Sequence, residues 1–326
     1  MPVSTRRTSP TFAPPVRWGA DVTLDLDRVE QAAAAIPRPF MRTPQYRSES
    51  LSRLLGVELF LKVETVNPTG TVASRGAEWW FECHPDVHRV VCASADDFGT
   101  AMAHAGRSRG IDVELFGPMD ADPNKVEVLR HAGTIVRLDG RDPDEARMEA
   151  QRYSMLVDGL FVDDGDHPEL AEGAATMAAE IQHLAAHVDA VFVPIGRGSL
   201  AHGTGAWCHV HMPRTRVVGV GAERAPGTVR SVREGRLIPS PVGPGAAPEM
   251  SVSAPSELVV APLSDSLDDT AFVNDRHLEQ AAAALLRHEG IRASMDGAAS
   301  LAAAALAAPE MHGARVVVPV TGRVVG

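Results

Sequence analysis

The segment LKVETVNPTGTVASRGA (residues 61–77) joins a short apolar strand to an Asn-Pro-Thr-Gly turn and then to small residues that open a helix at about Ser74. A strand, a glycine-containing turn and a helix N-terminus together form a site suited to an anion or another small ligand. On this pattern alone, an ordinary strand–helix connection is an equally good interpretation.

Outward from this segment, the chain alternates between apolar strands and helical periodicity. Strands are predicted at residues 57–63, 88–93, 112–116, 134–138, 160–163, 189–195, 216–221, 257–261 and 315–320. The helices between them include 74–83, 98–108, 123–132, 143–157, 168–186, 199–210, 226–234, 276–288 and 294–307, and residues 238–255 form a long Pro- and Gly-rich loop. Repeated strand–helix units with continuously apolar strands predict an α/β protein with twisted, mostly parallel sheets flanked by helices.

Composition narrows the classes of function. A chain of 326 residues predicts two lobes, and its net charge of −11 argues against nucleic acid or an anionic membrane as a partner. Three cysteines give no disulfide framework, and no apolar run is long enough to span a bilayer, so the cytoplasm is the simplest compartment. Residues 1–22 are predicted to be a flexible or surface-draped arm. The only lysines are Lys62 and Lys125.

The opening segment resembles the signature of the fold-type II pyridoxal-phosphate (PLP) enzymes, in which a K-x-E strand precedes N-P-T-G-S-F-K-x-R-G-A. This family includes threonine and serine dehydratases, serine racemase, threonine synthase and tryptophan synthase β. The matching residues are Lys62, Glu64, Asn67, Pro68, Thr69, Gly70, Arg75, Gly76 and Ala77. The resemblance implies a small lobe at about 86–163 inserted in a large lobe of 23–85 plus 164–326, with the site between them. The family's Schiff-base lysine falls at Ala73.

A second motif of the family, S-A-G-N-[HF]-G, is similar to Ser94-Ala95-Asp96-Asp97-Phe98-Gly99. The resemblance implies that Thr71, Ser94, Ala95, Phe98 and Gly99 contact the substrate, and that Asp97 takes the place of the asparagine that bonds the cofactor's 3′-oxygen. An ionised carboxylate there would face an anionic phenolate, and Asp96 would bring a charge to the docking place of a substrate carboxylate. If the site is catalytic, Asp96 and Asp97 are the obvious acid–base pair. Capping of the helix near Phe98 is the plainer role for both.

The phosphate loop of the family is similar to Gly196-Arg197-Gly198-Ser199-Leu200 after strand 189–195. Glycines there let backbone N–H groups turn toward an anion at a helix N-terminus, and Arg197 could either contact a phosphate or fill the hole. Thr321 matches the hydroxyl that faces the pyridine nitrogen. Ser294, Asp296 and Arg323 depart from the family pattern.

Several other residues are assigned ordinary roles. Lys125 is placed far from the 67–70 turn by the resemblance, and Lys62 would need rewiring of the chain to form an imine. No metal site is predicted, because His202, His209 and His211 lack ligand spacing. Trp79 and Trp80 are predicted to be packed, Cys92 to be a buried thiol, and the acidic run at residues 163–166 to be a solvated loop.

Without a lysine, standard PLP catalysis is not expected, because the lysine anchors the cofactor and moves the Cα proton. The main hypothesis is a divergent, lysine-less homologue that binds a small anion or amino acid as a pseudoenzyme or a PLP-independent catalyst, with PLP lost or held non-covalently. The alternative is a β-eliminating lyase of hydroxy amino acids in which Ala73 replaces a native lysine. The departures at several motifs favour natural divergence. A homodimer is expected from the resemblance, and pairing with an active paralogue is a weaker possibility.

Overall fold

A computed structural model describes residues 11–18, 24–241 and 247–324 of the chain. It contains eleven strands and twelve α-helices within these ranges. The strands are β1 (Phe12–Ala13), β2 (Gln45–Arg47), β3 (Glu58–Val63), β4 (Arg89–Cys92), β5 (Asp112–Gly117), β6 (Ile135–Leu138), β7 (Leu160–Val162), β8 (Ala190–Pro194), β9 (Arg216–Ala222), β10 (Asp269–Val273) and β11 (Arg315–Val320). The helices are α1 (Leu26–Ala35), α2 (Glu49–Leu55), α3 (Ala73–Cys83), α4 (Asp97–Ser108), α5 (Pro123–His131), α6 (Pro143–Leu156), α7 (Pro168–Ile181), α8 (Ser199–His211), α9 (Gly227–Glu234), α10 (Glu257–Ser266), α11 (Asp275–Glu289) and α12 (Ala299–Ala307).

The larger sheet has seven strands in the order β1-β10-β9-β8-β11-β3-β2. The five inner strands are parallel, and β1 and β2 are antiparallel strands at the two edges. The inner strands are almost entirely buried, as expected where helices cover both faces of a parallel sheet. The predicted α/β fold is therefore confirmed.

The smaller sheet has four parallel strands in the order β6-β5-β4-β7. All four fall within the residues 86–163 that the sequence assigns to a small lobe, and α4, α5 and α6 lie in the same stretch of chain. The core beneath this sheet includes Trp80 and Cys92, both fully buried, as predicted. Trp79 is also buried, and its indole Nε1–H donates to Glu172 Oε2 at 2.7 Å.

The prediction for residues 257–261 was wrong. The run Leu258-Val259-Val260 belongs to helix α10, and the missing strand is β10, eight residues beyond the predicted one. The valines pack in the same core cluster as α8, so tertiary burial outweighs the preference of β-branched residues for strands. The helix predicted for residues 294–307 begins later than expected. A 3-10 turn, Asp296–Ala298, comes first, and α12 starts at Ala299.

The described part of the N-terminal arm lies against the larger sheet. Phe12 and Ala13 pair with β10, and the N–H of Val16 donates to Val232 O at 2.9 Å. This supports the surface-draped form of the prediction for residues 11–18. Residues 1–10 and 19–22 of the arm lie outside the described residues. Within the described ranges, no helix is both long enough and apolar enough to cross a bilayer.

A largely buried ionic network holds the start of α3 against the larger sheet. The Arg75 guanidinium donates to Glu64 Oε2 at 2.9 Å and to Glu180 Oε1 at 2.8 Å. Lys62 Nζ donates to Thr43 O at 2.8 Å and also to Glu180. Because its ammonium group is fully buried in this network, Lys62 does not line the main cavity described below.

Helices α3 and α7 cross at two glycines. A Cβ atom on Gly173 would lie 2.4 Å from Arg75 O and 2.7 Å from Gly76 Cα. A Cβ atom on Gly76 would lie 2.7 Å from Leu170 O. The two backbones therefore touch, and this contact sets the position of the first turn of α3.

Candidate active site

A cavity of about 630 Å³ lies where the carboxyl ends of strands from both sheets meet. The loops that follow β3, β4, β7 and β8 contribute to its wall, together with the 3-10 turn at 248–250 and the end of β11. Most of the residues predicted to form a site line this cavity. They are Thr71, Ala73, Ser94, Ala95, Asp96, Phe98, Gly196, Arg197, Gly198, Ser199, Leu200 and Thr321.

The turn after β3 is built around one amide side chain. Asn67 Oδ1 accepts from the N–H groups of Thr69 (3.1 Å) and Gly70 (2.8 Å), and its Nδ2 donates to Thr71 O at 2.7 Å. Gly70 has a φ of +78°, which few other residues adopt at low cost. The turn delivers Ala73 to the first position of α3, on the cavity wall.

The turn after β4 is organised by Ser94, not by the aspartates. Ser94 Oγ accepts from the N–H groups of Asp96 (3.2 Å) and Gly99 (3.1 Å). Asp96 occupies the N-cap position of α4, but its side chain makes no capping hydrogen bond, so the predicted capping role was wrong for this residue. Its carboxylate turns toward a cation on α5.

That cation is Lys125. Its Nζ is bonded to Asp96 Oδ1 and lies 3.3 Å from Glu249 Oε1 and 3.6 Å from Asp97 Oδ1. Asp97 also donates its backbone N–H to Glu249 Oε1 at 3.1 Å. We call Asp96, Asp97, Glu249, Asp296 and Lys125 the Lys125 cluster.

Carboxylate oxygens of Asp96, Asp97 and Glu249 all lie within 4.8 Å of one another, as the ligands of a metal ion would. The Lys125 ammonium already takes the cation's place among them, so we propose no metal site there. Lys125 also lines a second cavity of about 600 Å³, whose wall includes Pro68 and Thr69 of the 67–70 turn. The sequence missed the cluster because α5 and residue 249 are distant in the chain from the 94–99 motif.

Crowding of buried carboxyl groups raises their affinity for protons. Burial raises the pKa of Asp296 to about 8, with a further contribution from the charge of Asp96. Burial also raises the pKa of Asp97 and, more strongly, that of Glu249, which faces Asp97 as well. For Lys125, burial lowers the pKa, but the charges of Glu249 and Asp96 outweigh this effect and raise it. The cluster therefore holds protons as well as the ammonium near neutral pH.

We expect the stability of the protein to fall as the pH rises from about 5 to 9. The folded-state pKa of Asp296, about 8, exceeds its ordinary value of 3.8, so the folded chain keeps a proton that the unfolded chain loses. The contribution of Asp296 to the stability of the folded protein is fully present below about pH 4 and is lost as the pH rises toward 8. Thermal unfolding at pH 5, 7 and 9 measures the effect. Asp296→Asn should lose much less stability over this range, and Asp86→Asn, on an exposed loop, should behave like the unmodified chain. Equal pH slopes for all three proteins would contradict the assignment.

The turn after β8 has the backbone of an anion-binding loop. Gly198, with a φ of +109°, precedes the first residue of α8, so backbone N–H groups face the cavity at a helix N-terminus. Ser199 Oγ accepts the N–H of Gly165 at 3.0 Å. Burial raises the pKa of the neighbouring Asp164 to about 6. Because Asp164 also lines the cavity, the chain places a carboxyl group of its own next to the loop that resembles a phosphate site.

The Arg197 guanidinium is paired with carboxylates of the chain and is therefore not a free phosphate ligand. Its guanidinium lies 3.3 Å from Asp144 Oδ1 and 3.3 Å from Asp163 Oδ2. Asp163 is also bonded to Arg147 and is buried, and Asp164 is half-buried on the cavity wall. The prediction that residues 163–166 form a solvated loop was wrong, because Arg147 and Arg197 compensate the charge of the buried aspartate.

The cavity wall as a whole is acidic. Of the described residues that line it, one is basic, Arg197, and none is a lysine. The acidic residues that line it are Asp96, Asp120, Asp122, Asp163, Asp164, Glu249 and Asp296. Asp97 does not line the cavity. It is buried, and its carboxylate lies close to Gly322, the residue after the lining residue Thr321.

The histidines weighed as metal ligands have other partners. His202 Nδ1 lies 2.8 Å from Ser266 Oγ, and burial lowers the pKa of His202 to about 4. His209 Nε2 lies 3.4 Å from Asp268, and His211 stacks on Trp207 with ring centroids 3.9 Å apart.

Known proteins resemble this chain over nearly its whole length. The family described as "Pyridoxal-phosphate dependent enzyme" matches residues 36–322. An L-threonine ammonia-lyase of Thermotoga maritima is 28% identical over 302 residues, which is 92% of this chain and 75% of that protein. A catabolic L-threonine dehydratase of Escherichia coli is 26% identical over 289 residues, covering 88% of this chain and 87% of that one.

The fold is shared with solved structures. The processed form of threonine deaminase isoform 2 from Solanum lycopersicum superposes with a TM-score of 0.86 at 22% identity, covering 98% of this chain and 95% of that one. Maize serine racemase gives a TM-score of 0.82 at 23% identity, with 92% and 93% covered. These likenesses establish the two-sheet architecture.

Proposed function

Because the chain belongs to the family of pyridoxal-phosphate dependent enzymes, we propose that it is a divergent homologue of threonine and serine dehydratases that binds a small ligand without a covalent cofactor. The observation that carries this proposal is the cavity wall. Ala73, at the position where the resemblance puts the imine-forming lysine, lines the cavity, and no described lining residue is a lysine.

The side chains present do not fit covalently held PLP. The cofactor needs a lysine amine for its imine, and its phosphate and phenolate oxygens are anionic. The Lys62 ammonium is fully buried beside Glu180, and the Lys125 ammonium is bonded to carboxylates of its own cluster. An anionic cofactor would also meet the acidic wall, including Asp164 at the loop that resembles a phosphate site.

The acidic residues of the cavity wall also affect which kind of ligand can bind. The sequence left open a small anion or an amino acid, and like-charge repulsion in a poorly solvated cleft disfavours the anion. If the site is catalytic, carboxyl groups with raised pKa values, such as Asp97 and Asp296, can donate or accept a proton near neutral pH. Without such a reaction the protein is a ligand-binding pseudoenzyme. A homodimer remains a prediction.

A spectroscopic experiment tests the absence of imine chemistry. The purified chain is mixed with PLP, desalted and scanned in the visible range before and after borohydride reduction. We expect no retained colour and no reduced adduct. Ala73→Lys should also stay colourless, because the acidic wall remains. Ala73→Arg is the control, since it adds the same charge but cannot form an imine with PLP. Colour fixed by borohydride in Ala73→Lys but not in Ala73→Arg would instead support the lyase whose lysine was replaced. Colour fixed in the unmodified chain would overturn the proposal, and peptide mass spectrometry would identify the lysine.

A further inference from the structure

The second cavity, of about 600 Å³, is a groove between α4 and α5 that shares no lining residue with the main cavity. Each helix contributes residues three or four positions apart, which is the spacing of a single helix face. They are Thr100, Ala103, His104 and Arg107 from α4, and Lys125, Val128, Leu129 and the C-cap residue Ala132 from α5. The 67–70 turn and the chain near Arg292 and Arg323 complete the wall.

The charge on this wall is opposite in sign to that of the main cavity. The basic residues that line it are His104, Arg107, Lys125, Arg292 and Arg323, and none of the described lining residues is acidic. The whole chain has a net charge of −11, so this wall departs from its average composition. Because an arginine side chain stays protonated at any ordinary pH, the positive charge of the wall is permanent.

Three of these basic side chains have partners within the protein. The Lys125 ammonium is bonded to carboxylates of the Lys125 cluster, and His104 Nδ1 lies 3.7 Å from Glu78 Oε1. Arg107 donates one N–H to Ala132 O at the end of α5. A guanidinium group has five N–H donors, so Arg107 keeps donors for a further partner.

The side chains of Arg292 and Arg323 make no hydrogen bond or ion pair with a described residue. Their backbone is nevertheless fixed, because the Arg323 N–H donates to Gly70 O at 3.0 Å and the Val324 N–H donates to Arg292 O at 3.1 Å. A Cβ atom on Gly70 would lie 2.5 Å from Arg323 Cδ and 2.6 Å from its Cγ. The missing side chain of Gly70 therefore makes room for the Arg323 stem, which is positioned over the 67–70 turn before any ligand binds.

The same wall has an apolar surface that water reaches. Val128 is 47% exposed and Val324 is 52% exposed, although both line a concave surface. The other apolar residues of the wall are Pro68, Ala103, Leu129 and Ala132. Covering such a surface with the hydrocarbon part of a ligand is favourable.

We propose that the second cavity binds a small organic acid, whose carboxylate pairs with Arg323 and whose hydrocarbon part covers Val128 and Val324. Arg292 and Arg107 add positive charge. A guanidinium group matches the two oxygens of a carboxylate, and the volume lies within the range of about 300–1,000 Å³ that is usual for small-molecule sites. Inorganic phosphate would satisfy the charge but would leave the valines exposed. The site goes beyond the proposed function, because it lies outside the main cavity.

Isothermal titration calorimetry with 3-phenylpropionate as the probe tests this proposal. We expect saturable one-to-one binding that weakens as salt is added, because exposed charges are screened. Propionate and inorganic phosphate lack the hydrocarbon part, and 3-phenylpropan-1-ol lacks the charge, so each should bind about tenfold more weakly or less. Binding of phosphate or of the alcohol as tight as that of 3-phenylpropionate would overturn the proposal.

Matched variants locate the site. Arg323→Gln should weaken binding of 3-phenylpropionate about tenfold or more, since it removes a charge-assisted pair, and Arg292→Gln should weaken it less. Val128→Asn should weaken binding of 3-phenylpropionate but not that of propionate. Arg287→Gln removes the same charge from an exposed position on α11 that lines neither cavity, and it should bind as the unmodified chain does. Thermal unfolding checks that each variant is folded, and unchanged affinity in both Arg323→Gln and Arg292→Gln would refute the proposal.

This experiment and the spectroscopic one fail independently. Retained, borohydride-fixed PLP would remove the proposed function and would leave the organic-acid site standing. A colourless protein that binds no 3-phenylpropionate would refute the organic-acid site alone.

Discussion

We expect Arg75→Met to lower the free energy of unfolding by about 3–5 kcal/mol, the range typical for breaking a buried ion pair from one side. The Arg75 side chain is fully buried and contacts both carboxylates of the network. Its guanidinium spans Glu64, at 2.9 and 3.0 Å, and Glu180, at 2.8 and 3.1 Å. In the intact network two carboxylates face two cations. Methionine would fill the space but would leave Lys62 as the only positive charge for both.

Denaturant unfolding followed by circular dichroism measures this effect. The matched control is Arg141→Met, which breaks an ion pair with Glu145 that water screens on the surface and which should change stability little. The double variant Arg75→Met/Glu64→Gln should recover part of the loss, because it removes the carboxylate that was left unpaired. A loss for Arg75→Met no larger than that for Arg141→Met would contradict the importance of the network.

Gly173→Ala should destabilise the protein by about 1–3 kcal/mol, although alanine is intrinsically the better helix former by about 1 kcal/mol. The added methyl group would lie 2.4 Å from Arg75 O and 2.7 Å from Gly76 Cα, and backbone atoms cannot rotate aside. Helix α3 would have to move away from α7. Because Ala73 begins α3 on the cavity wall, the same movement should weaken ligand binding in the cavity.

Helix propensity predicts that Gly173→Ala stabilises the protein, whereas helix packing predicts that it destabilises the protein. One unfolding experiment therefore decides between them. Gly76→Ala meets Leu170 O at 2.7 Å across the same contact and serves as the companion variant. Once either alanine has separated the helices, the second should cost less, so the double variant should lose less stability than the two single losses predict. Increased stability in Gly173→Ala would show that the helices separate easily.

Much of the fold could be predicted because the signals are local and repeated. The Val-rich run of β11 and the apolar core of β8 are typical of parallel strands buried on both faces. The described helices other than α10 and α12 also start close to where the sequence puts them. The strand predicted around Val259 was wrong for a physical reason. Its valines fit a strand equally well by local preference, and only their burial against α8 decides for a helix.

The residues around the cavity could be predicted in outline, but the ion pairs of its charged residues could not. Turn geometry near residues 67–70 and 196–200 can be read from Asn, Pro and Gly, but most of the cavity wall was anticipated because the motifs resemble those of the family. The partner of Asp96 could not be, because Lys125 follows it by 29 residues and Glu249 by more than 150, and no local pattern links such positions. Asp163 looked like a loop residue because its compensating arginines, Arg147 and Arg197, come from α6 and the 196–200 turn.

The two short edge strands have a consequence for how the molecule behaves among its own copies. Phe12–Ala13 and Gln45–Arg47 run opposite to the strands that they border, and each covers the outer hydrogen-bonding groups of a longer parallel strand. An uncovered edge of this kind is a template on which another chain can add a strand, which is a common start of aggregation. Among the described residues, this protection on the β10 side is supplied by Phe12 and Ala13. Cleavage that removes these two residues would therefore expose the edge of β10 and cost the protein colloidal stability before it disturbed the cavity.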